Sequence, residues 1–146
     1  MALPEFTETG DLPPGVHQAT LPEVVRRSGT GSGRRQILGR RLQRVHGVAQ
    51  STGHLARFVV FGSFITGNPA PNDVDVFMVM DDEFDFARAG GAARLLFQHA
   101  PAQDHFGCSV FWVRRQAALG GEQVAIEDWQ IKRDGSLRGI VEIIGE

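Results

Sequence analysis

The chain has one cysteine, one lysine and no apolar run long enough to cross a bilayer. A lone cysteine, Cys108, excludes an internal disulfide. Its place in the apolar run "FGCSVFWV" makes it a small core residue of a protein kept reduced, with the cytoplasm as the expected location. The N-terminal "MALPEFTETGDLPPG" lacks a basic region followed by an apolar core, and no segment approaches the ~20 apolar residues of a membrane-spanning helix. Neither secretion nor a membrane partner is expected. With Lys132 the single lysine, positive charge rests on arginine; 15 basic against 17 acidic residues leave a net charge of −2, so a nucleic-acid partner is not favoured. Several motifs are missing too. The run "SGTGSGRR" lacks the Gly-Lys-Ser/Thr ending of a phosphate loop and reads as a linker. The five histidines show no zinc-type pairing with cysteine, and no nucleophile elbow marks a serine hydrolase.

A length of 146 residues with 42% hydrophobic content fits one globular domain. Residues 1–19 lack periodicity and are expected to be an irregular arm before a single domain over 20–146. Thr20-Leu21-Pro22-Glu23 matches a capping box and should start a short helix through about Arg27. From Arg34 to about Gln50, Leu38, Leu42, Val45 and Ala49 recur at helical spacing, with Arg34, Arg35, Arg40, Arg41 and Arg44 on the other face. Phe58–Phe61 and Asp73–Met80 read as strands, Phe84–Ala100 as a helix stopped before Pro101, and Phe106–Val113 as a third strand. Asp134-Gly135, between two β-rich runs, predicts a C-terminal β-hairpin. The fold class is therefore α/β, a mixed β-sheet flanked by helices.

One stretch carries chemistry: "FVVFGSFITGNPAPNDVDVFMVM", Phe58 to Met80. Side chains alternate along a strand, so Asp73 and Asp75 share one side while Val74, Val76, Met78 and Met80 take the other. At about 7 Å apart along the backbone, both carboxylates can lean onto one hard cation, and magnesium accepts one or two carboxylates with phosphate oxygens and water. Gly62 leaves no Cβ to block a phosphate, and the Ser63 hydroxyl can hold phosphate oxygens.

An apolar residue, Gly62-Ser63, nine residues, then Asp73-Val74-Asp75-Val76 resembles the signature of the minimal nucleotidyltransferases in the DNA polymerase beta-like superfamily. The tail "WQIKRDGSLRGIVEI" is similar to that of an uncharacterised bacterial branch of it. The resemblance implies a nucleoside triphosphate, ATP first among the candidates, bound through Gly62 and Ser63. It implies Mg2+ held by Asp73 and Asp75 as the catalytic pair, and in-line attack of an acceptor on the α-phosphate with release of pyrophosphate. It also implies a hydroxyl acceptor on a protein or small molecule and a partner encoded nearby, a toxin–antitoxin pairing being one case.

The sequence departs from that pattern at one position. Active members place a third carboxylate on the next strand, and here that strand, Phe106–Val113, contains no acid; Cys108 or Ser109 stands in its place. Asp104 and Glu142 are the substitutes. Arg114 and Arg115 are candidates to offset triphosphate charge. Without the third acid, the alternative is a catalytically silent module that binds a nucleotide or a partner.

Overall fold

A computed structural model describes residues 3–145. Its core is a five-stranded mixed sheet ordered β1-β5-β2-β3-β4, with β1 Gly15–Thr20, β2 Leu55–Phe61, β3 Val74–Met80, β4 Cys108–Arg114 and β5 Gly139–Ile144. The outer pairs β1/β5 and β3/β4 run parallel, and β2 is antiparallel to both of its neighbours. Apolar alternation places two clusters on opposite faces. Phe58, Val60, Val74, Val76, Met78 and Met80 point into the larger one, with Leu38, Leu42 and Val45. Val59, Phe61, Phe77 and Val79 point into the smaller one, with Ile126 and Ile140.

The helices are α1 Leu21–Ser28, α2 Gly33–Ser51, α3 Gly91–Leu96, α4 His99–Phe106 and α5 Glu122–Glu127. The capping box forms: the Glu23 amide donates to Thr20 Oγ1, and the Thr20 amide donates to Glu23 Oε1. Buried Leu38, Leu42, Val45 and Ala49 seat α2 against the sheet as their spacing requires. Among the described residues, no helix is long and apolar enough to cross a membrane.

Three expectations change. The arm expected over 1–19 is shorter, because Gly15–Thr20 forms β1, paired in parallel to β5 from Gly15↔Gly139 to Thr20↔Ile144. "GVHQAT" has no alternation, since only Ala19 of this edge strand is buried. The helix expected over Phe84–Ala100 is instead a 3-10 turn at Phe86–Arg88, then α3, then α4. Gly90-Gly91 interrupts it, and Pro101 sits in the first turn of α4, where its missing N–H costs no helical hydrogen bond. Phe84 and Phe97 close around Trp112, with ring centroids 5.3 Å away for each, which a straight helix would not allow. At the C-terminus the Asp134-Gly135 turn forms, with Gly135 at φ +87°, but its arms pair only at Ile131↔Leu137. Trp129 leaves the would-be first arm to stack on Phe61, centroids 4.3 Å apart, and buries the second face of the sheet.

Candidate functional site

Strands β2 and β3 run antiparallel and place Phe61 opposite Asp75, so Gly62 emerges directly beside that carboxylate. Gly62 adopts φ +85°, and a Cβ there would lie 2.1 Å from Asp75 Oδ2. Glycine is required twice over, for its backbone angle and for the carboxylate packed against it. Ser63 opens a 3-10 turn through Ile65.

The loop returning to β3 is held from α2. The Arg35 guanidinium donates to the carbonyls of Ser28, Phe64, Thr66 and Asn68 at 2.6–3.1 Å. Arg34 donates to the Pro71 carbonyl and, at 3.0 Å, to that of Asn72. These two arginines therefore fix the separation of Gly62-Ser63 from Asp73. Arg41 instead reaches the Gly107 carbonyl, and Arg44 pairs with His105 Nε2 at 3.0 Å.

Asp73 and Asp75 come together as their spacing implies. Asp73 lies just before β3, and its Oδ2 accepts from Ser109 Oγ at 2.7 Å and from the Gln103 amide at 3.2 Å. Burial, together with the negative charge of Asp73, pushes the Asp75 carboxyl up to about 6; Ser109 and Arg138 oppose the shift in part. Ser109 pairs with Asp75 in the β3/β4 register and so occupies the position of the expected third acid. Cys108 pairs with Val74 and is buried on the opposite face. Burial pushes its thiol up to about 12, which leaves it inert.

Neither substitute acid joins the pair. Glu142 is buried and takes both Nε and Nη2 of Arg57 on its carboxylate, at 2.8 and 2.7 Å. Asp104 lines a different cavity, with Arg40, Arg41 and Arg44. Arg114 donates to the Phe84 carbonyl and Arg115 pairs with Glu122, so neither is in place to meet a triphosphate.

Other cations stand at the site. Lys132 and Arg138 line a cavity of about 520 Å³ together with Gly62, Ser63, Thr66 and the arm residues Glu8 to Asp11. Arg138 lies over the Phe61 ring, 5.3 Å from its centroid, and donates to the Trp129 carbonyl. Burial lowers its pKa, while Asp75 and Asp11 act to raise it. Lys132 pairs with Asp11. Nothing in the local sequence marks Lys132 or Arg138, because they reach Gly62 from 70 and more residues away along the chain.

Compared with known families, residues 4–144 match the one described as a family of unknown function (DUF6932). The chain belongs to this family. Neither a curated protein nor a solved structure matches it.

Among the described residues, no group of three or more His, Cys, Asp or Glu is arranged to hold a metal ion. The donor set on hand is two carboxylates on one face, one of them already accepting from Ser109. That set does not fit a cage made of protein ligands alone. It does fit a single magnesium ion that arrives with a triphosphate and keeps phosphate oxygens and water in its shell.

Proposed function

We propose that this DUF6932 protein is a nucleotidyltransferase-fold enzyme that moves a nucleoside monophosphate from a nucleoside triphosphate, ATP foremost, to a hydroxyl on a protein or small molecule. The observation that carries this reading is the close approach of Gly62 and Asp75 at the ends of β2 and β3. A left-handed glycine pressed onto a half-buried carboxylate beside a second carboxylate is a costly arrangement for stability alone.

Gly62 and Ser63 take the β- and γ-phosphates, with Lys132 and Arg138 offsetting their charge. Asp73 and Asp75 hold magnesium, which when bound neutralises the charge that develops on the phosphates. Arg34 and Arg35 keep the loop rigid, so the triphosphate meets a preformed site. The acceptor oxygen bonds to the α-phosphorus as the bond to the pyrophosphate oxygen breaks. A buried, inert Cys108 fits a reducing, cytoplasmic location. The acceptor on this reading includes a partner encoded nearby, as in a toxin–antitoxin pair.

A second reading is a binding module that holds a triphosphate without transferring from it. The hydrogen bond from Ser109 to Asp73 favours it, because a hydroxyl fills the place of the third acid. One experiment separates the two. Magnesium with triphosphate should stabilise the fold by ~2.7 kcal/mol at a ligand excess of 100 over Kd, and the Asp73→Asn, Asp75→Asn double variant should lose that shift. Labelled product from an α-labelled triphosphate, absent in Asp73→Asn, supports the enzyme. A thermal shift without product in wild type, with product gained in Ser109→Asp, supports the module. An unchanged shift in the double variant removes these residues from the site and overturns both readings.

A further inference from the structure

The face of the sheet that carries Asp75 continues past it onto β4, the edge strand. Ser109 pairs with Asp75 in the register and donates to Asp73 Oδ2 at 2.7 Å; Phe111, two residues on, pairs with Phe77 and points to the same side as Ser109. Two strand rises of ~3.3 Å put its backbone about 7 Å from that of Ser109. The Phe111 ring is 38% exposed, whereas Cys108 and Val110 on the other face of β4 are buried. Its position is fixed by other rings. Trp129, itself stacked on Phe61, lies 5.0 Å from it, and the exposed His99 at the start of α4 lies 5.1 Å from it, with interplanar angles of 40° and 38°. A large apolar surface is thus held open beside the aspartates.

The site runs across three neighbouring strands. Gly62 follows Phe61 of β2, which pairs with Asp75 of β3, which pairs with Ser109 of β4. Lys132 and Arg138 line the cavity at Gly62 and Ser63, and Arg138 lies over Phe61, so the phosphate-binding cations stand on the β2 side of the aspartates. With strands ~4.8 Å apart, a triphosphate whose outer phosphates rest at Gly62 and whose metal is held by Asp73 and Asp75 extends its nucleoside toward β4, where Phe111 is. The polar side chains beside that ring are committed: Ser109 to Asp73, and the Gln103 amide to Asp73 Oδ2 and Ser109 Oγ, at 3.2 Å each. They leave nothing to read the edge of a base, and the ring offers only a face.

We propose that Phe111 is the platform on which the base of the triphosphate stacks, and that the base is a purine, ATP and GTP being taken alike. This rests on the site proposed above and names its substrate class. Stacking on an aromatic side chain tolerates any base edge and discriminates by stacking strength. A two-ring purine covers more of the Phe111 face than a pyrimidine does.

The test measures binding to the full chain with magnesium by equilibrium dialysis, using ATP, GTP, UTP, CTP and tripolyphosphate, which carries the phosphates without a base. ATP and GTP should bind alike, UTP and CTP more weakly, and tripolyphosphate most weakly. Phe111→Leu, which keeps an apolar side chain against Trp129, should weaken ATP and GTP roughly 5- to 100-fold, the worth of one stacked base, and leave tripolyphosphate unchanged. Phe111→Trp should keep the purine preference. An equal loss of ATP and tripolyphosphate in Phe111→Leu would mean that the ring serves only the packing of the site, and the inference falls. It falls also if UTP and CTP match ATP, or if one purine exceeds the other by about tenfold or more, since the edge of the base is then read. Tripolyphosphate bound as tightly as ATP overturns the platform and leaves the phosphate and metal site standing. No binding of any of these ligands overturns this inference and the proposed function together.

Discussion

Glu142 on β5 and Asp75 on β3 lie on the same face of the sheet, two strands apart. The two carboxylates are treated in opposite ways. Glu142 is 7% exposed and receives two hydrogen bonds from one arginine on the neighbouring strand, a fork that matches its two oxygens. Asp75 has no such fork. Its nearest charged neighbour along the chain, Asp73, is a like charge, and its carboxyl is pushed up to about 6 by burial and by Asp73. The protein can evidently pair a buried carboxylate when the pairing serves the fold. An Asp75 left in this state is what the proposed magnesium–triphosphate site at the β3 end would use.

The largest effect is expected where Arg57 holds Glu142. Arg57→Ala leaves Glu142 buried without its cation, and removing one member of a buried pair costs about 3 kcal/mol or more. Urea unfolding should show that loss, and Glu142→Gln in the same background should recover part of it. Recovery of nothing would mean that Arg57 acts through its packing alone.

The next effect falls at the functional half. Gly62→Ala puts a Cβ within 2.1 Å of Asp75 Oδ2 at a backbone angle that side chains resist. A cost of about 2 kcal/mol is expected from strain and displacement of the carboxylate, together with loss of any magnesium–triphosphate melting shift. A variant that melts like wild type would show that Asp75 swings away freely and that the close approach is not a constraint.

The smallest effect sharpens the contrast through its sign. Asp75 has a folded pKa above its ordinary value near 3.8, so its contribution to stability is fully present below that value and is lost as pH rises through about 6. Asp75→Asn should therefore stabilise the ligand-free protein at pH 7, by about 1 kcal/mol once solvent screening is allowed for. The gap between variant and wild type should open between pH 4 and 7. Glu142→Gln should destabilise over the same range, and matching signs for the two variants would erase the distinction between these carboxylates.

Much of this site was legible before any fold was known. Strand alternation put Asp73 and Asp75 on one side and Val74, Val76, Met78 and Met80 on the other, and β3 is built that way. The same period-two rule let only one of Cys108 and Ser109 face the aspartates, and the β3/β4 register makes it Ser109. The capping box at Thr20 and the apolar stripe of α2 were readable for a related reason, since both are interactions between residues three or four apart. The break in the expected 84–100 helix was less so, because Phe84 and Phe97 answer to Trp112 on another element.

The amino-acid sequence by itself determined the strand alternation, the helix start and the Gly-Ser and Asp-Val-Asp pattern, because each depends on neighbours a few residues away. Only the tertiary structure decided which charges are paired within the fold and which are not. Glu142 is spoken for because β5 lies beside β2 and brings it to Arg57, 85 residues away in the chain. Arg34 and Arg35, indistinguishable by sequence from a solvated arginine face, became clamps on the 64–72 loop. Lys132, Arg138 and Asp11 reach the Gly62 cavity only after β1, β5 and the arm have closed on it. Pairing across such separations depends on how strands order themselves in the sheet, a choice made by burial of the whole core and not by any local run of residues.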